Sequence, residues 1–243
     1  MKLGQTGFGA FQTTHWTVVL AAAAPDTGRD GAAFAELYLA YWPPLYAYAR
    51  RRGFSPAEAE DIIQDFFARL VSKESLSGLQ RDGGRFRSFL LRALDNFLAN
   101  EWDRAQAQKR GGGRRPLSLD VEEGEARFAL EAADAETPES LFEKRWAFTL
   151  LEHVTDQLRD EYAGAGRREL FDHLRVHLQG DRTGPPYATI AARCGISEGA
   201  VKVAVHRMRH RYGELLQETN ARTVSSPAEV DEELRYLISV VER

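Results

Sequence analysis

Residues 187–212 read YATIAARCGISEGAVKVAVHRMRHRY, and the spacing describes two short helices crossing at a tight turn. Ala191 stands four residues before Gly195 and Val201 six after it, which is helix-turn-helix spacing. A small residue at 191 lets the helices approach closely. Gly195 can take the left-handed backbone that the turn needs, and Ile196 and Val201 are expected to fill the seam. Ser197 is the expected cap of the second helix, whose outward positions carry Ser197, Glu198, Lys202, His206, Arg207, Arg209, His210 and Arg211. A cationic helix presented this way suits the major groove of DNA. An ordinary helical hairpin with a solvated basic face is the competing reading.

Around this stretch lies a chain of 243 residues, 43% hydrophobic and 28% charged, with 13 Phe, 8 Tyr and 4 Trp. That is apolar material enough for one large or two small domains. Net charge is only −4, but it is unevenly placed. Residues 81–115 hold nine Lys/Arg against four Asp/Glu, and residues 116–143 hold one against nine. A basic module is therefore followed by an acidic connector, and such local blocks matter more than the sum. The lone Cys194 excludes an intramolecular disulfide and any cysteine-rich zinc site, in keeping with a reducing cytoplasm. No apolar run approaches the roughly 18 residues of a membrane span, and the start of the chain does not read as a signal peptide. A soluble, cytoplasmic protein is expected.

Toward the N-terminus, residues 1–12 are Gly-rich, and Thr13 or Thr14 is the expected cap of a short helix through Ala24. Asp30 caps a helical segment in which Phe34, Leu37, Tyr38 and Tyr41 recur. Pro43 and Pro44 are expected to interrupt it, with Trp42 leaving the helix before them. A second segment, LYAYARRR, runs to Gly53. Ser55, Pro56 and Glu58 form a capping box for the next helix, whose buried face is Ile62, Ile63, Phe66, Phe67 and Leu70. Its other side carries the polar stripe Glu58, Asp61, Gln64, Asp65 and Arg69. After Gly83 and Gly84 a long helix from Phe86 to about Gln108 turns Phe86, Phe89, Leu90, Ala93, Leu94, Phe97, Leu98 and Trp102 inward. Arg87, Arg92, Asn96, Asn100 and Arg104 are expected mostly outside.

The basic KRGGGRR tail then leads into an acidic tether. Helical period resumes after Thr137 through Leu141, Phe142, Trp146, Leu150, Val154 and Leu158. Leu170, Phe171, Leu174 and Leu178 mark one more helix before the hairpin. Ser226, Pro227 and Glu229 open a final helix with the stripe Val230, Leu234, Leu237, Ile238 and Val241, which must dock on something. No useful stretch alternates with a period of two. The expected fold is all-α: two small helical domains joined by an acidic flexible linker, the second ending in the helix-turn-helix, plus a C-terminal helix. The boundaries are 1–29 for an N-terminal extension, 30–110 for the first domain, 111–137 for the linker, 138–222 for the second domain and 223–243 for the last helix.

With AEAEDIIQDFFARL, FRSFLLRALDNFLANEW and the hairpin in this order, the sequence resembles a bacterial RNA polymerase sigma factor of the sigma-70 family, extracytoplasmic-function type. The resemblance implies that the first domain binds core polymerase and recognises and melts the minus-ten element, while the second reads the minus-thirty-five element. It places Asp61, Gln64 and Asp65 on the clamp coiled coil of the largest polymerase subunit. Asn96, Asn100, Arg104, Lys109 and Arg110 fall at the minus-ten strand, where amides satisfy a flipped base and cations hold phosphates. Ser197, Glu198, Lys202 and Arg207 fall at the minus-thirty-five duplex, with Arg209 and Arg211 on its backbone. The implied partners are core polymerase, including its flap region, and promoter DNA; an anti-sigma factor or another regulator is a further class the resemblance admits. The free protein is expected to be a monomer. The segment 162–186 is longer than in many relatives, and the helix after Arg222 exceeds the minimal plan.

Other function classes are poorly supplied. Glu58, Asp61 and Asp65 have one-turn spacings that Mg²⁺ accepts, but no second aspartate cluster or phosphate loop accompanies them. The pairs His173/His177 and His206/His210 lack the glutamate base of a zinc protease. No catalytic residue, cofactor or metal is expected. The remaining alternative is a free-standing helix-turn-helix regulator, which would bind DNA without polymerase, often as a dimer on a palindrome.

Overall fold

The computed structural model describes residues 30–70, 85–108, 137–178, 184–224 and 229–242. Every regular element among these residues is helical, as the periodicity implied. The 1–29 extension, Lys109, Arg110, the acidic tether through residue 136 and the Ser226–Pro227 cap lie outside the described residues.

Helix α1 spans Asp30–Arg51 and passes through Pro43 and Pro44 without a break. This corrects the expected interruption: Trp42 stays in the helix and is buried. Each proline removes one backbone donor and crowds the preceding turn, at a cost of about 3 kcal/mol. Tertiary burial outweighs it, because Leu37, Tyr41, Leu45 and Tyr48 keep helical spacing across the prolines and all are buried. The i−4 carbonyl that Pro43 leaves without its helical donor belongs to Leu39, whose side chain is 69% exposed, so that side of the helix faces water.

Helix α2, Pro56–Leu70, begins as its capping box requires. The Ser55 N–H donates to Glu58 Oε2 at 2.9 Å, and the Glu58 N–H donates to Ser55 Oγ at 3.4 Å. The Ser55 backbone bond holds the Glu58 carboxyl below its ordinary pKa. Phe67 meets Phe34 and Tyr38 of α1 at 6.2 and 4.8 Å between ring centroids. Phe66 meets Phe97 at 5.9 Å on α3, Phe86–Gln108.

Helix α4, Pro138–Gly164, is capped by Thr137, whose Oγ1 accepts from the Ser140 N–H at 3.2 Å. It is the longest described helix, 27 residues, or about 40 Å. One part of it lies along α1, where the Trp146 indole bonds the buried Tyr41 hydroxyl. Further on it receives α5, Arg168–Leu174, and α7, Glu198–Ala221. A 3-10 turn, Arg175–His177, and α6, Tyr187–Cys194, lie between those two. The last helix, α8, Val230–Val241, packs on α4 and α7. One apolar cluster runs from Leu37 on α1 to Val240 on α8, with α4 contributing Phe142, Trp146, Leu150, Val154 and Leu158.

Two faces differ from the expected pattern. Arg87, assigned outside, is only 2% exposed. On α8 the buried positions are Glu233, Leu237 and Val240, while Ile238 is 51% exposed and Val241 also faces out. The reason is common to both. Glu233 pairs with Arg85 and Arg87 at the start of α3, and that charge contact turns α8 about its axis.

Candidate polymerase and nucleic-acid interface

Three surfaces carry the residues singled out in the sequence. On α2, Asp61, Gln64 and Asp65 are all exposed on the side opposite Ile63, Phe66 and Phe67. Gln64 Nε2 donates to Glu60 Oε1 at 3.0 Å, which fixes the amide on the helix surface. No cation among the described residues pairs with Asp61 or Asp65. Two carboxylates one turn apart, held on a rigid helix and uncompensated, favour a basic partner surface.

The second surface lies on α3, where Asn96 and Asn100 are exposed. Arg104 is on the same helix, but its side chain, like Lys109 and Arg110, lies outside the described residues. Asp95, partly exposed, is engaged within the protein: the Tyr48 hydroxyl donates to its Oδ1 at 2.6 Å, and Arg52 Nη1 lies 3.4 Å away. Burial, then this hydrogen bond, push the Tyr48 phenol well above its ordinary pKa. The outer amides are thereby carried on a helix anchored to α1.

The third surface is formed by α6 and α7. Gly195 has φ +65°, and the Ile196 N–H closes the end of α6 on the Ala191 carbonyl at 3.1 Å. Ser197 Oγ accepts from the Ala200 N–H at 3.1 Å, so α7 starts as its sequence indicated. The seam is filled by Ile190, Ala191, Val201, Val205 and Met208. Ile196, expected to plug it, is exposed instead, while Ile190 of α6 is buried. A methyl group at Gly195 would meet nothing within 4 Å. Gly195→Ala is therefore expected to cost only the left-handed backbone penalty, about 1–2 kcal/mol. A denaturant midpoint unchanged from wild type would contradict that origin.

The cations of α7 divide into two groups. Lys202 and Arg207 are exposed. Lys202 makes only a surface pair with Glu198, at 3.2 Å, and Arg207 makes no ion pair among the described residues. Arg209 Nε donates to the His177 carbonyl at 2.8 Å. Arg211 meets Glu161 at 2.7 Å, Glu214 at 3.1 Å and Glu218 at 3.2 Å. Its hydrogen bond to Glu161 holds that carboxyl below its ordinary pKa. Arg209 and Arg211 thus fasten α7 to the rest of the fold, while Lys202 and Arg207 face solvent. Beside them an open groove of about 540 Å³ lies between α4, α5 and α7, lined in part by Tyr162, Arg167, Val203 and Arg207.

The histidine pairs do not assemble into a common site. The His177 ring is buried against Tyr187, 5.0 Å between centroids, and His210 pairs with Glu214 at 3.2 Å. The residues that sequence reading missed are Arg87 and Glu233. Arg87 sits at an outward helical position and Glu233 in an acidic first turn, so neither carries a periodic signal of burial.

The segment from the middle of α1 to the end of α3, residues 37–108, matches the family model described as Sigma-70 region 2. No curated protein and no solved structure matches the chain. The match covers that segment alone and makes it similar to region 2 of the sigma-70 family, whose members act in promoter-directed transcription by RNA polymerase. Proteins of that family are initiation factors, not enzymes. Asp61, Gln64, Asp65, Asn96 and Asn100 all fall inside the matched segment; the α6–α7 hairpin falls outside it. No helix among the described residues is long and apolar enough to cross a membrane.

Proposed function

We propose that this protein is a cytoplasmic sigma factor of the extracytoplasmic-function type, acting as two helical units on a two-part promoter. The first unit, residues 30–110, docks on the clamp coiled coil of core polymerase through Asp61, Gln64 and Asp65. Asn96 and Asn100 then receive bases of the opened minus-ten strand, and Arg104, Lys109 and Arg110 hold its phosphates. The acidic linker, residues 111–137, joins this unit to a second, residues 138–222, whose α6–α7 hairpin is a helix-turn-helix that reads the minus-thirty-five duplex and meets the polymerase flap. There Ser197, Glu198, Lys202 and Arg207 face the bases and their borders, while Arg209 and Arg211 set the helix against the backbone track.

The observation that carries this reading is the uncompensated Asp61/Asp65 pair, exposed on α2 within the family-matched segment. Polymerase supplies the chemistry; this chain chooses where it starts. The test is abortive transcription with purified core polymerase on a promoter library, comparing wild type with an Asp61→Ala, Asp65→Ala double variant. Wild type is expected to direct initiation at a shared two-part sequence, and the variant to need about tenfold more protein or greater. If core polymerase gains nothing while the protein alone binds duplex DNA as a dimer, the free-standing regulator takes its place.

A further inference from the structure

Helix α7 carries three valines in its first two turns, and they do not face the same way. Val201 and Val205 are buried in the seam with α6, whereas Val203 is 49% exposed. Val203 lines the open groove between α4, α5 and α7, together with Gly199, Ala200 and Arg207. A helical side chain leans over the turn before its own Cα, toward the residues three and four back. For Val203 these are Ala200, with a single methyl group, and Gly199, with no side chain. Outside the helix backbone, a Cβ added at Gly199 would meet only Ser197 Oγ, at 3.9 Å. The methyls of Val203 therefore close a shallow apolar notch that a flat edge can approach to contact.

The uncompensated charge around this notch is positive. Arg207 stands one turn on from Val203, and Arg167 lines the same groove at the head of α5; neither makes an ion pair among the described residues. Arg167 only covers the Tyr162 ring, 5.3 Å from its centroid. The nearby carboxylates are already engaged, Glu198 by Lys202 and Glu161 by Arg211. Such a surface disfavours a basic partner and suits an apolar group set among anions. Duplex DNA presents that combination in its major groove, where the thymine C5-methyl is the apolar feature of the base edges and phosphates run along both sides.

We propose that Val203 is a specificity-determining residue of α7, which packs on the C5-methyl of one thymine in the upstream promoter element. This rests on the reading of α7 as the helix that enters the minus-thirty-five duplex. The polar side chains of the same face pair with hydrogen-bonding base edges, whereas Val203 distinguishes thymine from a pyrimidine without the methyl.

The test uses holoenzyme assembled from core polymerase and the full chain, on promoter duplexes taken from the library selection above. Each thymine of the upstream element is replaced singly by deoxyuridine, which removes the methyl and leaves every hydrogen-bonding group in place. At one position wild type is expected to need about fourfold more promoter for half-maximal abortive synthesis, the effect of one buried methyl group. Val203→Ala should need about fourfold more of the unsubstituted promoter and lose nothing further at that position. Its affinity for core polymerase, titrated without DNA, should equal that of wild type.

Equal deoxyuridine losses in wild type and Val203→Ala at every position overturn the assignment, as does an upstream element in which no thymine methyl matters to wild type. A Val203→Ala protein that binds core more weakly but keeps the wild-type thymine dependence overturns it too, and makes the notch a polymerase-docking surface. If core polymerase gains nothing while the protein alone binds duplex DNA, the sigma-factor reading fails, and the same deoxyuridine series on that complex decides the methyl contact. Binding in neither form rejects both.

Discussion

Arg87→Ala is expected to lower the stability of the protein by about 3 kcal/mol, read as the denaturant midpoint of the unfolding transition. The guanidinium has only 2% of its surface exposed and serves Glu143 and Glu233 together while stacking on Trp146 and Tyr236. Burial weakens its hold on the proton and the neighbouring Arg85 charge adds to this, while Glu143 acts the other way. Removing it leaves Glu233 buried with Arg85 as its remaining partner, which sets the loss at the low end of the range for half-broken buried pairs. Arg87→Lys should not restore the loss, because a single ammonium lacks the planar fork that meets two carboxylates and two rings. A midpoint for Arg87→Ala within experimental error of wild type would mean that the pair contributes nothing to the native state.

Trp146→Ala is expected to be the most damaging single core change, at about 3–5 kcal/mol. The indole is buried where α4 meets α1, and its N–H bonds the Tyr41 hydroxyl, which has no exposure of its own. Truncation opens a cavity, strands that hydroxyl and takes one ring from Arg87. For a chain of this length the melting temperature should fall by roughly 10 °C. Leu39→Ala on the open side of α1, 69% exposed, is the matched control and should stay within about 0.5 kcal/mol. If the two variants melt together, the α1–α4 seam is not part of the cooperative core.

Much of the architecture is legible in the sequence. Ser55 with Glu58, Thr137, and Ser197 all act as caps, since capping depends on residues three apart in the chain and on nothing distant. Gly195 takes the left-handed turn for the same local reason. The inward faces of α2, α3 and α4 followed from helical period, and the exposure of Asp61, Gln64, Asp65, Asn96 and Asn100 followed as its complement. The α1 prolines did not, because their local cost was outweighed by aromatic burial on both sides, a term that needs the partner helix.

Charge was the least legible quantity. Arg87, Arg209 and Arg211 look alike in the chain, each a cation at an outward helical position. Tertiary structure buries the first among two carboxylates and two rings, ties the second to a carbonyl and the third to three glutamates, and leaves Lys202 and Arg207 facing water. The physical reason is range. Helix formation, capping and turns are decided by neighbours within four residues, so an all-helical chain with its hairpin and its apolar faces can be read directly. Whether a charge binds a partner or holds the fold depends on groups tens to more than a hundred residues away, such as Glu143 and Glu233 for Arg87, and only their packing decides it.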